Sequence, residues 1–377
     1  MRGSDGVPST WAGGLDSSTT PPSRKSTWSA LLGEPDLVRD HRPAFGGQVL
    51  DHAQHVADDH GDRPLGSGAL VTVRRGAVRG GPTRSLVGLA SAPVCRLFAL
   101  HAGPHDVPAE FWLLHAPDSF AAQSEHNADG FGIATLSTRD GQLLVRNPIK
   151  AADDQTYRQV SQRARASQFL AHLRYASTGV VSLANTHPFL MDNRAFAHNG
   201  VVGDLPEVER RLGTSLAMVG GTTDTERFFA LLTIRIREAG NDVRAGIVAA
   251  VHELARDIEL YSLNFLLSEP GHLWAFRYPE HNPLWLLRRE PQGDPLVQND
   301  AAGTLHLHTE AEVEHPIVVV ASERTDDDPD WEEIGVGELV HIGPDLSLTR
   351  EVVITAEPAR PMQLGGHAAR TQSYERD

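Results

Sequence analysis

Four short polar segments carry the residue types that amide chemistry needs. They are a thiol in "CRLF" (95–98) and a guanidinium with a hydroxyl in "HLRYASTG" (172–179). Imidazoles and an amide follow in "THPF" (186–189) and "AHNG" (197–200), and a carboxylate in "GTTDTE" (221–226). Cys95 is the only cysteine, so it has no intrachain disulfide partner, and a cysteine-built zinc cage or iron–sulfur cluster is out of reach. It is then either incidental or a nucleophile. Taken singly, each segment has an ordinary reading. A cysteine ahead of an apolar run is usually a core residue, and Arg beside Tyr is usually a solvated strand end. His-Asn-Gly is a common turn because Asn and Gly tolerate positive φ, and Thr-Asp before a helix is a cap. The order and joint presence of all four are much harder to obtain by chance.

The elements that must hold these segments are legible from periodicity. "CRLFAL" from Cys95, "GFGIATLS" (130–137), "QLLVRNP" (142–148), "FLAHLRYA" (169–176) and "RAFAHNG" (194–200) read as strands, the second and third joined by an Asp140-Gly141 turn. "DDQTYRQVSQRAR" (153–165) reads as a helix. A long helix over "TERFFALLTIRIREAG" takes its cap from Thr222, Thr223 or Asp224 and ends at Gly240, and a second covers 242–258. Further strands follow at 262–268, 272–278, 284–289, 317–322 and 337–343. Strands, then helices, then strands predict an α+β layered domain of antiparallel sheets with helices packed outside. There is no internal repeat.

Composition sets the limits. The chain is 40% hydrophobic and 22% charged, with a net charge of −15, which fits a soluble globular protein and argues against a phosphate backbone as partner. No apolar run is long enough for a membrane span, and a cytoplasmic location is expected. Gly and Pro make up 22 of residues 1–94 but only 36 of the remaining 283, so 1–94 is expected to lack ordered structure. Its start has no apolar h-region, so it is not a signal peptide. "SLVGLASAPVC" lacks the small residue before cysteine that lipidation needs. Two lysines against 32 arginines suggest a GC-rich coding sequence in which a valine codon can initiate. Val94 is accordingly expected as the true initiator, removed to leave Cys95 first, the alternative being a leader cleaved by proteolysis. The expected division is 1–94 as that leader or misassigned start, 95–343 as the catalytic domain, and 344–377 as a terminal strand with a frayed tail.

The ordered set Cys95-Arg96, Arg174-Tyr175-Ala176-Ser177, His187-Pro188, His198-Asn199-Gly200 and Thr223-Asp224-Thr225-Glu226 resembles the class II glutamine amidotransferases, which are N-terminal-nucleophile hydrolases. "DGFGIA" (129–134), "NFLLSEPGHLWAFR" (264–277) and "ASERTDDDPDWEEI" (321–334) resemble the stand-alone branch, so the likeness covers most of 95–343. Residues 1–94 lie outside it, and their presence before the nucleophile departs from the pattern. The resemblance implies an αββα fold of two mainly antiparallel sheets between helices. It also implies catalysis by Cys95 through a thioester, with Asn199 and Gly200 as the oxyanion hole. Arg174 and Ser177 would hold the substrate carboxylate, and Asp224 its ammonium. His187 and His198 would support the loops. No cofactor or metal is implied.

Physical chemistry is consistent with that assignment. A thiol of ordinary pKa, about 8.5, is mostly protonated at neutrality, whereas an α-amine titrates near 8 and is a usable base. An amino-terminal cysteine supplies both nucleophile and base. Other candidates are weaker. His52, His55 and His60 lie in the leader, His306 and His308 give two strand-face ligands without a third, and "TDDDPD" (325–330) lacks the Gly and closing Glu of a calcium loop and reads as a solvated loop. The expected substrate is glutamine or another γ-glutamyl small molecule, with ammonia passed to a separate accepting enzyme or simply released. The alternatives are a hydrolase like that acting on γ-glutamyl-hercynylcysteine sulfoxide in ergothioneine synthesis, and a non-catalytic binding protein on the same fold.

Overall fold

The computed structural model describes residues 95–139, 141–176, 180–291 and 314–365, with the backbone of 48–51, 297–299 and 305–307. An eight-stranded sheet is built from β1 (Gln48–Asp51), β2 (Arg96–His101), β3 (Phe131–Ser137), β4 (Gly141–Asn147), β5 (Gln168–Leu173), and three later strands, β10 (Trp285–Arg289), β11 (Ile317–Ala321) and β12 (Glu332–Glu333). A six-stranded sheet takes β6 (Phe189–Met191), β7 (Arg194–Val202), β8 (Leu260–Glu269), β9 (His272–Arg277), β13 (Glu338–Ile342) and β14 (Leu348–Val352). Their orders are β1-β4-β3-β5-β2-β11-β10-β12 and β14-β13-β9-β8-β7-β6. Apart from the parallel β1–β4 edge, every neighbouring pair is antiparallel.

Side-chain alternation turns these sheets into layers. Side chains on a strand point to opposite faces in turn. Leu97 and Ala99 of β2, Leu170 of β5 and Ala195 and Ala197 of β7 meet in one cluster between the sheets. Phe98, Leu100, Phe169 and Ala171 face outward instead, into a second cluster with Tyr157 and Val160 of helix α1 (Gln155–Arg163). The outer face of the six-stranded sheet, with Phe196, Phe265 and Phe276, is covered by Phe228, Phe229 and Ile247. These lie on α3 (Asp224–Glu238) and α4 (Val243–Asp257), which follow α2 (Leu205–Leu212). Three apolar layers between four structural ones make the αββα arrangement.

Helix ends follow capping chemistry. Asp154, Thr223 and Asp242 accept the N–H groups of Tyr157, Glu226 and Ala245 at the starts of α1, α3 and α4. Of the three cap candidates for the long helix, Thr223 is therefore the cap. Helix α2 was not anticipated from the sequence, since its eight residues give a short pattern. The acidic loop differs from expectation as well. Asp326 is buried, accepts Trp331 Nε1 at 2.7 Å and pairs with Arg289, which also holds Asp328. The loop is therefore anchored by a buried ion pair at Asp326, while Asp327, Pro329 and Asp330 stay solvated.

Candidate active site

Cys95 directly precedes β2, and its parity with Leu97 turns its side chain to the space between the sheets. Arg96 pairs with Leu173 across β2 and β5, so Cys95 comes opposite Arg174, where the chain leaves β5. The Cys95 thiol donates to the Tyr175 carbonyl at 3.3 Å and accepts the Tyr175 N–H at 3.4 Å. His172 and Arg174 share the parity of Leu170 and so face the same interior. From the other sheet, Asn199 shares the parity of Ala195 and Ala197 and faces them across the gap. It is fully enclosed, and its carbonyl accepts from Ser262 Oγ at 3.2 Å. Thiol, guanidinium and amide thus occupy inward positions on the two facing sheets.

Asp224 arrives from the opposite direction. It is the first residue of α3, and its Oδ2 accepts the Val202 N–H at 2.9 Å. The Gly203 N–H bonds instead to Glu259, on the β8 side. Strand alternation then places the Gly200 N–H on the same edge as that of Val202, turned away from β8 and toward the Asp224 side. Gly200 has no room for a side chain: a Cβ there would lie 2.1 Å from the Ser262 carbonyl oxygen. His198 faces the helices, with Nδ1 against Thr225 Oγ1 at 3.1 Å and Nε2 against the Ser262 carbonyl at 2.9 Å. It links the strand carrying Asn199 to the helix turn carrying Asp224. His187 packs against His172 with the rings tilted by 46° and their centroids 4.1 Å apart.

The electrostatics follow from enclosure. Burial pushes the Cys95 thiol up. The Tyr175 backbone hydrogen bond and the positive charges of Arg174 and Arg96 act in the opposite sense, while Asp224 adds to the rise. Arg174 feels Cys95, Asp129 and Asp224, so thiol, guanidinium and carboxylate lie within one another's fields. Burial lowers all three histidines: His172 to about 3, helped by the Arg174 charge, His187 well below its usual value, and His198 less drastically. Each is a neutral imidazole at physiological pH.

The structure therefore gathers Cys95, Arg174, Asn199, Gly200 and Asp224, with His187 and His198 behind them. Ser177 lies outside the described residues, as do His52, His55, His60 and His308. Sequence reasoning passed over two residues that shape the site. Asp129 accepts the Ala176 N–H at 2.8 Å, and Asn185 joins the segments after Arg174 and before Asp224. Asn185 sits two residues before His187, and nothing in its type or spacing marks it apart from any loop asparagine. Among the described residues no group of three or more His, Cys, Asp or Glu side chains could hold a metal ion, and no helix is long and apolar enough to cross a membrane.

The family model for class II glutamine amidotransferases matches residues 94–360. This chain belongs to that family. It is 28% identical over 231 residues to the Methanocaldococcus jannaschii protein MJ1515, a match covering 59% of this chain and 63% of that one. It is also 28% identical over 228 residues to the Escherichia coli protein YafJ, covering 56% and 83%. The chain thus spans less than two thirds of the length of MJ1515. Among solved structures, glutamine phosphoribosylpyrophosphate amidotransferase from B. subtilis shares the fold, with a TM-score of 0.50 over 70% of this chain and 50% of that one, at 17% identity.

Proposed function

We propose that this class II glutamine amidotransferase hydrolyses the side-chain amide of glutamine with Cys95 as nucleophile. The observation that carries the reading is that Cys95, Arg174 and Asp224 lie within one another's fields, with Asn199 on an inward position of the facing sheet. An α-amino acid offers a carboxylate, an ammonium and, here, an amide carbonyl. Arg174 presents a planar fork suited to the carboxylate, and Asp224 a carboxylate for the ammonium. The thiol and the Asn199 amide are left for the carbonyl.

Within this reading, the thiol proton passes to the α-amine of Cys95 once that residue is amino-terminal. Sulfur adds to the amide carbon, and the oxyanion is met by the Asn199 side-chain N–H and the Gly200 backbone N–H. A well-placed donor of this kind is worth about 3–4 kcal/mol in the transition state. The carbon–nitrogen bond breaks as the amine returns its proton to the leaving nitrogen, releasing ammonia. Water then cleaves the γ-glutamyl thioester to glutamate and regenerates the thiol. The three neutral, enclosed histidines hold the strands and take no part in proton transfer. Ammonia passes to solvent or to an accepting enzyme on another chain.

Glutamate release from glutamine, compared between protein beginning at Cys95 and its Cys95→Ala variant, tests the assignment. The reading expects release by the first and none by the second. Equal release by both would refute it, and inactivity on glutamine with cleavage of γ-glutamyl thioethers would move the leaving group away from ammonia.

A further inference from the structure

The geometry points to Asn185 as a positioning residue that ties the carboxylate-holding and ammonium-holding sides of the site into one unit. This rests on the substrate roles proposed above for Arg174 and Asp224. Asn185 is 3% exposed and lies in a short helical turn (Leu183–Asn185) between the two segments it joins. Its Nδ2 donates to the Val180 carbonyl at 3.0 Å, and that same oxygen accepts Arg174 Nη1 at 3.2 Å. On its other side Oδ1 accepts the Thr222 N–H at 2.8 Å, while Nδ2 also donates to Thr222 Oγ1 at 2.9 Å. Thr222 is two residues from Asp224.

One amide side chain therefore spans from the carbonyl that orients the guanidinium to the peptide that precedes the carboxylate. An amide suits this place because it donates and accepts at once. A carboxylate would keep the acceptor for Thr222 but set an anion against the Val180 carbonyl, and a hydroxyl is too short to reach both. The surroundings hold the bridge at close range. A Cβ on Gly221 would lie 2.6 Å from both the Ala184 carbonyl oxygen and Asn185 Oδ1. The next turn is fixed from the helix side, where the Glu226 carboxylate accepts the N–H groups of Gly220 and Gly221 at 2.9 and 2.6 Å. Val180 itself is 73% exposed, so little apolar packing holds its carbonyl in place, and the hydrogen bond from Asn185 supplies that restraint. Arg174 and Asp224 grip the two charged groups on one α-carbon of a small substrate, so loosening their separation weakens binding more than it slows chemistry at the amide carbonyl at its other end.

The test compares wild type with Asn185→Ala and with the isosteric Asn185→Asp, which keeps the volume if the alanine variant folds poorly. In the glutamine-hydrolysing form, both variants are expected to raise KM about tenfold, the scale of a modest misplacement of substrate-holding groups, with kcat within about twofold. Alkylation of Cys95, the single thiol of the chain, is expected to keep its rate without ligand and to need about tenfold more glutamine for protection. A fall in kcat at unchanged KM would overturn the proposal, because that pattern reports lost active protein. Amide exchange on the full chain without ligand separates this inference from the functional reading. Segments 180–184 and 219–223 are expected to loosen together in Asn185→Asp. If wild type leaves glutamine untouched but the two segments loosen together, the function fails and the tether stands. If they stay as in wild type, or only one loosens, the tether is wrong whatever the activity.

Discussion

A buried thiol works as a nucleophile only if its proton has somewhere to go, and the enclosed imidazoles of this site are poor acceptors for it. Burial raises the thiol, and the same enclosure lowers the pKa of His172 and His187, so neither ring takes up a proton readily. The surrounding groups are suited to holding a substrate and stabilising charge. Two substitutions separate those tasks. Asn199→Ala is expected to lower kcat for glutamine hydrolysis by about 10²- to 10³-fold with KM little changed, since an oxyanion donor acts in the transition state. Arg174→Lys keeps the charge but loses the planar fork, so it is expected to raise KM about tenfold with a smaller effect on kcat. Steady-state kinetics on both variants decides, and the reverse assignment of effects would break the proposed division of roles.

Strands and loops meet at distances that leave no freedom at certain glycines. A Cβ on Gly132 of β3 would lie 2.0 Å from the His187 carbonyl oxygen and 2.8 Å from Pro188 Cδ. Both belong to the loop that packs His187 against His172. Gly132→Ala is therefore expected to cost about 1–3 kcal/mol of stability, the range for overpacking a filled interior, read as a drop in denaturation midpoint. An unchanged midpoint would mean the loop yields easily. Most elements were legible in the sequence because their signals are local. Alternation in "CRLFAL" and "GFGIATLS", and caps before the two long helices, depend only on neighbours in the chain. Helix α2 was not legible, because two turns give too few repeats of a period. Nor was the burial of Asp326, which depends on Arg289 arriving from a strand 37 positions away. The site was legible where residue type restricts chemistry, as with a single cysteine. Asn185 was not, because its role is set by the two segments that happen to flank it in space.

At the scale of the whole molecule, stability and acidity are linked through the same buried histidines. His172, His187 and His198 bind protons more weakly in the folded chain than an unfolded imidazole, whose pKa is near 6.5. The unfolded state therefore takes up more protons as pH falls below that value, and stability present above it is progressively lost toward pH 3. A ring shifted as far as His172 approaches about 1.4 kcal/mol per pH unit in that range. Asp118 acts in the other sense: burial, with the Glu323 charge, raises it to about 6, so it favours the folded state on acidification between pH 6 and its ordinary value. Three groups outweigh one, and the denaturation midpoint is expected to fall between pH 7 and 5, less steeply in His172→Asn. A midpoint flat or rising over that interval would contradict the assignment of neutral, enclosed rings.

The central claim couples the nucleophile to its own α-nitrogen, and it is tested most directly by measuring glutamate release from two preparations that differ by one bond. One begins at Cys95, and the other retains Val94 in peptide linkage, each verified by intact mass before and after the assay. The account predicts turnover of glutamine by the first alone. Undiminished turnover by the second, with Val94 still attached at the end, would contradict it.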